Sequence, residues 1–193
     1  MEALISDQKK SLRSDLLKKR KCISKLEYEN LNKGLKKTAT HFLSSAHFSK
    51  IFIFHPLLNE PDLRPLIDLD FFHGKTFGLP VLASKEKMSF FEWAKKIPLK
   101  KNQFGILEPD LFFGKELFSD EKTAILIPSL ALDKKGTRLG MGGGFYDRYL
   151  EQNKKAFKIG VIFSEFLVES LPKEDHDIKM DAILTEKKFL TLL

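Results

Sequence analysis

The sequence predicts an α/β fold built on a mainly parallel sheet. Short apolar runs recur at 51–54, 124–128 and 158–163, and longer segments with apolar residues at helical spacing lie between them. The runs are apolar throughout instead of alternating, as in strands covered on both faces. A chain of 193 residues, 42% of them hydrophobic, suits one domain over residues 1–193 with one core.

Residues 6–21 are rich in Lys and Arg, and Leu12, Leu16 and Leu17 make them an amphipathic helix. Ser24-Lys25-Leu26-Glu27 has the form of a capping box. It opens a second helix whose stripe runs through Leu31, Leu35, Ala39, Phe42 and Leu43. Residues 51–54 predict a buried strand that ends at His55-Pro56. Pro61 suits a first helical position, which predicts a helix over 61–72 ended by Gly74. A strand is expected over 76–82, an exposed strand over 88–93, and an extended piece or turn over 104–109. Residues 124–128 are the clearest buried strand. A loop over 129–144, a helix over 145–152, and strands over 158–163 and 181–185 follow. In such sheets ligands sit beyond the carboxyl ends of the strands.

The formal charge is +7 and the pI about 9.3. That favours an anionic partner, whether nucleotide, polyanionic cofactor, nucleic acid or membrane surface, and is equally met by a solvated lysine surface. The 26 acidic residues and the lack of a zinc-finger or RNA-recognition signature argue against nucleic acid. Cys22 is the only cysteine, which excludes an internal disulfide and a cysteine-based zinc site and fits a reducing compartment. Met1-Glu2-Ala3-Leu4 lacks the basic start of a signal peptide, and no apolar run approaches the ~18–20 residues of a membrane span. The expectation is a cytoplasmic protein without a membrane partner.

The sharpest chemical signal runs from Arg138 through Leu139, Gly140, Met141, Gly142, Gly143 and Gly144 to Phe145, Tyr146, Asp147 and Arg148. Four of the chain's 11 glycines fall within five residues, after a strand and before a helix. Glycine lets phosphate approach the backbone, consecutive amides form an anion nest, and the helix start adds free donors. Arg138 can clamp phosphate bidentately, and Asp147 in the first turn can help hold Mg²⁺. The bland alternative is a flexible loop with a helix cap. Neither standard nucleotide fingerprint applies.

Pro128-Ser129-Leu130-Ala131-Leu132-Asp133, Gly136 and the run from Arg138 to Tyr149 resemble the signature of the 5-formyltetrahydrofolate cyclo-ligase family. Lys9-Lys10-Ser11-Leu12-Arg13 is similar to the family's Lys-x-x-Leu-Arg, and Glu60-Pro61-Asp62 to its Glu-x-Asp/Glu segment. Gly105-Ile106-Leu107-Glu108-Pro109, Leu171-Pro172, His176-Asp177 and Thr185-Glu186 fall in family order. Departures are Ser129 for a usual Gly, Leu63 for Thr, Phe104 for Trp, Phe145 for the first Tyr and Phe166 for a frequent Gln. They leave the phosphate loop intact and change hydrogen bonding to the folate.

The resemblance implies a three-layer α/β/α sandwich of the CoA-transferase/ribose-phosphate-isomerase-like type. It implies an ATP- and Mg²⁺-dependent monomeric enzyme that converts 5-formyltetrahydrofolate, with or without a polyglutamate tail, to 5,10-methenyltetrahydrofolate. ATP contacts are implied at Lys9, Lys10, Arg13, Arg138, Leu139, Gly140, Gly142, Gly143, Gly144 and Tyr146, with Arg138 and Lys9 catalytic. Folate contacts are implied at Glu60, His55, Met88, Phe104, Phe145 and Tyr146, and metal contacts at Asp147 and Asp177. A nucleic-acid-binding module, a sugar-phosphate isomerase on the same fold and a folate binder without catalysis are the rival readings.

Overall fold

A computed structural model of the chain describes residues 2–84 and 86–192. Two long helices come first, α1 (Glu2–Lys21) and α2 (Lys25–Ser45). Ser24 caps α2 by accepting the Glu27 amide at 3.3 Å, which satisfies one free donor of the first turn. Strands β1 (Lys50–Phe52), β2 (Thr76–Leu82), β3 (Met88–Glu92), β4 (Leu99–Lys101), β5 (Leu107–Pro109), β6 (Glu116–Leu117) and β7 (Thr123–Pro128) follow. Then come β8 (Ala131–Asp133), β9 (Arg138–Leu139), α3 (Phe145–Gln152), β10 (Phe157–Val161), β11 (Leu167–Val168), β12 (Ala182–Leu184) and β13 (Phe189–Thr191).

Eight strands form the main sheet in the order β13-β12-β10-β7-β1-β2-β3-β6. The five from β12 to β2 are parallel, and β13, β3 and β6 add antiparallel margins. Register assigns the faces. Ile51 stands level with Phe77 and Ala124, and Ala124 with Phe157, so these four point the same way. Helix α2 covers that face, with Phe42 stacked on Phe157 at 6.4 Å. Phe52 points the other way and stacks on Phe90 at 4.5 Å, and Phe90 meets Tyr149 of α3 at 5.1 Å. A small sheet, β11-β8-β9, extends the cover on this second face, where Leu132 packs over Gly160. The result is the expected three layers around a mainly parallel sheet. Ring-on-ring packing across the two layer boundaries accounts for part of the Phe content, such as Phe42, Phe52, Phe90 and Phe157, while Phe71, Phe104, Phe112, Phe113 and Phe118 are exposed. Among the described residues no helix is long and apolar enough to cross a membrane.

Three expectations are corrected. Residues 61–72 do not form an α-helix but two tight 3-10 turns, Arg64–Asp68 and Asp70–Phe72. The Asp62 carboxylate accepts the Arg64 amide at 3.0 Å, and Pro65 has no amide, so the first helical bonds are lost to local competition. Strand β3 is not an exposed strand: Met88 and Phe90 are buried, because the face they share lies under α3, where Phe90 packs against Phe52 and Tyr149, and β6 pairs along its outer edge. Residues 129–144 are not simply a loop, since β8 and β9 form a hairpin there. Its turn is set by Asp133, whose Oδ1 accepts the amides of Lys135 and Thr137, both at 2.9 Å. Gly136 closes it at φ +81°, where a Cβ would meet the Met180 carbonyl. The hairpin places Arg138 on a ladder opposite Leu132 and not on a free loop.

Candidate active site

In the sheet the chain passes from β1 to β2 on one side and from β7 to β10 on the other. The segments leaving the carboxyl ends of β1 and β7 therefore part, and a crevice opens between them. It is a cleft of about 400 Å³. Every site residue predicted from the sequence lines it except Lys10. Lys10 stands exposed, because neighbouring residues on a helix diverge by roughly 100°.

One wall is built from the glycine loop. Gly142 lies at φ +98° and Gly144 at +65°, left-handed conformations that favour glycine. Gly144 is the residue before α3 and has no side chain to cap it, so the first-turn amides keep free donors. Arg13 Nε donates to the Gly140 carbonyl at 3.0 Å, and a Cβ on Gly142 would meet the Arg13 guanidinium. Arg148 Nη2 donates to the Gly143 carbonyl at 2.9 Å, which braces the loop from behind. Arg138 is buried, pairs with Asp147 at 2.6 Å, and keeps a buried Nε without a partner. Lys9, 3% exposed, sets its Nζ 2.7 Å from Glu174 Oε2 and 2.5 Å from Asp177 Oδ2. Glu174, His176 and Asp177 bring three ligand atoms within 4.8 Å of one another. Both carboxylates expected to hold metal thus hold a cationic side chain, and the oxygen-rich set around Asp177 suits a hard divalent cation.

The opposite wall is apolar with a few polar groups. Leu82, Met88, Phe104 and Ile106 flank it, and Phe145 and Tyr146 meet it from α3. Glu60 is 6% exposed, and its Oε2 accepts the Leu57 amide at 3.0 Å. Burial raises its carboxyl above the usual range, opposed by the Leu57 amide and by Arg20. The Tyr146 hydroxyl is buried without a partner, and burial, reinforced by Glu60, raises its phenol well above its ordinary value. His55 Nε2 lies 2.9 Å from Arg64 Nη1. Arginine only donates, so His55 accepts at Nε2 and carries its proton on Nδ1. Burial and then Arg64 lower its pKa.

Sequence reasoning missed several residues. Arg20, in the last turn of α1, is 1% exposed and sits behind Glu60 and Ser129. No local signal separates it from the solvated lysines beside it. Glu108 is buried at the cleft and accepts the Leu82 amide at 3.0 Å and Asn102 Nδ2 at 2.5 Å. Asn102 Oδ1 in turn accepts the amides of Phe104 at 2.8 Å and Ile106 at 3.0 Å. Asn at 102 with Gly at 105 is a turn signal that could have found this element. Glu174 lies three residues from Asp177, and no motif in the sequence singles it out.

Residues 5–186 match the 5-formyltetrahydrofolate cyclo-ligase family. The chain belongs to that family. It is similar to the 5-formyltetrahydrofolate cyclo-ligase of Haemophilus influenzae, 32% identical over 183 residues covering 93% of this chain and 98% of the relative. The Escherichia coli enzyme of the same name is 38% identical over 133 residues, covering 67% of this chain and 73% of that one. Among solved structures, the NMR structure of Aquifex aeolicus 5,10-methenyltetrahydrofolate synthetase superposes with a TM-score of 0.81 at 31% identity, covering 95% of this chain and 92% of that chain. As a member of this family the chain is an enzyme.

Proposed function

We propose that this enzyme closes 5-formyltetrahydrofolate to 5,10-methenyltetrahydrofolate, with conversion of ATP to ADP and phosphate. The observation that carries the reading is the meeting of two unlike walls in one cleft. A glycine loop with converging cations faces an apolar slot that holds a buried carboxylate, in a chain of the cyclo-ligase family.

The formamide oxygen of the substrate is a poor leaving group. ATP supplies the phosphoryl group that makes it a good one, and Mg²⁺ offsets the phosphate charge. The residues present fit a polyphosphate: Arg138 keeps an unpartnered buried Nε, and side chains at Gly140, Gly142 and Gly144 would fill the cradle. In this reading Arg138, Arg13 and Lys9 bind and orient the phosphates, and the loop amides donate to them as a nest. Lys10, exposed beside the cleft, adds positive charge at its mouth. Asp147 and Asp177 are the metal-binding carboxylates, with Glu174 beside Asp177. Release of Lys9 from Glu174 and Asp177 frees those oxygens for the cation.

On the other wall Met88, Phe104, Phe145 and Tyr146 hold the flat rings, while Glu60 accepts polar N–H groups. Neutral His55 offers Nδ1–H at the edge of the same slot. No protein nucleophile is needed, because the ring-closing amine belongs to the substrate.

The test is absorbance at the methenyltetrahydrofolate band after purified protein, Mg-ATP and 5-formyltetrahydrofolate are mixed. A rise that needs ATP supports the reading. Folded, ATP-binding protein that gives no rise overturns the folate assignment.

A further inference from the structure

Arg20 does not line the cleft, yet it touches both segments that frame it. Its Nη1 lies 3.4 Å from Glu60 Oε1 on the segment after β1. Its Nη2 donates to the Ser129 carbonyl at the end of β7. The Phe166 ring packs against the guanidinium, 5.4 Å from centroid to Cζ, and Arg20 Nε has no partner.

Three consequences follow from this placement. First, a carboxylate as buried as Glu60 tends to take up a proton, and a guanidinium, which keeps its own, is the group that holds it anionic. Among the described residues the other groups facing the Glu60 carboxylate are uncharged: the Leu57 amide, which donates to Oε2 at 3.0 Å, and the Tyr146 phenol of α3; the Tyr28 hydroxyl of α2 donates to the Glu60 backbone carbonyl at 2.9 Å. Second, the contact at 3.4 Å is loose, so Glu60 Oε1 keeps acceptor capacity for a ligand N–H. Third, α1 carries Lys9 and Arg13 to the phosphate wall and Arg20 to the folate wall. Lys9 and Arg20 are separated by about 16 Å of continuous helix. One rigid element therefore reaches both halves of the cleft.

We infer that Arg20 is a positioning residue for folate recognition, holding Glu60 as a charged acceptor and, through α1, coupling the folate half of the cleft to the nucleotide half. The inference rests on the folate reading above and adds a residue and a linkage to it. By reciprocity, whatever α1 gains from nucleotide appears as tighter folate binding.

The experiment uses the full chain as native protein, Arg20→Met and Arg20→Lys, each also with Glu60→Gln. Dissociation constants for 5-formyltetrahydrofolate are measured by calorimetry with and without Mg²⁺ and a non-hydrolysable ATP analogue. Melting temperature and the split between KM and kcat are read alongside. Arg20→Met is expected to weaken folate binding about tenfold to a hundredfold, while affinity for the analogue alone changes less than about threefold. The tightening of folate binding by the analogue is expected to shrink. Arg20→Lys, which keeps one charge but not the fork, falls between. With Glu60→Gln in place, Arg20→Met is expected to add nothing. Native folate affinity in Arg20→Met, or the same loss with and without Glu60→Gln, overturns the inference. If Arg20→Met does not fold, Arg20→Lys decides: an intermediate loss of folate affinity supports the inference and native affinity overturns it. Failure of the native protein to bind folate or form product would overturn the reaction assignment instead, so the two failures are distinct.

Discussion

Arg138 and Asp147 hold each other across the base of the glycine loop, with Nη2 2.6 Å from Oδ2. The ladder of β9 fixes one and the first turn of α3 fixes the other, so the ion pair closes the loop between them. Both side chains are largely buried, at 7% and 17% exposure, and either one alone would be an uncompensated charge. The pair keeps the loop open and in register while the spare Nε of Arg138 stays available to an anion.

Arg138→Ala is therefore expected to lower kcat/KM by about 10³-fold or more, the scale seen when a phosphate-stabilising arginine is lost. Arg138→Lys restores little, since an ammonium cannot make the two-point contact. Asp147→Asn keeps the shape and is expected to raise the Mg²⁺ concentration needed for half-maximal rate. Steady-state kinetics with a melting curve for each variant checks all three.

Gly142→Ala tests the loop itself. At φ +98° an L-residue is strained, and the new Cβ sits 3.4 Å from the Arg13 guanidinium where phosphate is read to approach. The strain is worth about 1–3 kcal/mol. Weaker binding of the nucleotide is expected with folate affinity nearly unchanged. Equal loss of both would mean that the loop serves the whole cleft.

His55 gives a pH signature. Burial and Arg64 lower its pKa below the ordinary 6.5, so between the two values the unfolded chain binds more protons than the folded one. Its contribution to stability is present above about 6.5 and is lost as pH falls below it. Glu60 acts in the opposite sense, because its raised carboxyl favours the folded state as pH falls. The difference between native protein and His55→Gln isolates the histidine. The stability gap between them is expected to change as pH falls below about 7 and to be flat above it, as read from melting temperatures across that range.

The glycine loop and α3 were legible because four glycines after an apolar run leave few alternatives, and α3 spans the expected residues Phe145–Gln152. The parallel core was legible from unbroken apolar runs such as 124–128, which a one-sided strand would not tolerate. The helix expected over 61–72 failed where Asp62 and Pro65 withdraw the backbone donors, a competition that the apolar pattern does not register. Strands β8 and β9 are three and two residues long, too short for any periodicity. Arg20 was illegible for a different reason. A basic residue near the end of a basic helix reads as solvated, and only the tertiary placement of Glu60, Ser129 and Phe166 around it shows otherwise.

Asn102 yields the last prediction. Its side chain makes three bonds at once: Oδ1 to the amides of Phe104 and Ile106, and Nδ2 to Glu108. Glu108 passes the restraint to β2 through the Leu82 amide. The turn so held carries Phe104, 55% exposed, at the cleft. Gly105 at φ +76° has open space around it, and the turn is held by this network together with the backbone bonds from Asn102 N to Ile106 O at 2.9 Å and from Gly105 N to Asn102 O at 3.0 Å. Asn102→Ala is then expected to free Phe104 and raise KM for the folate about tenfold, since each lost bond is worth about 1 kcal/mol or less and they do not add fully. Affinity for nucleotide should stay within about twofold, because among the described residues no hydrogen bond links the turn to the glycine loop. Phe104→Ala should produce a similar rise, and the double variant little more, because both changes remove the same wall. A nucleotide affinity that falls with the folate affinity would show instead that the turn supports the cleft as a whole.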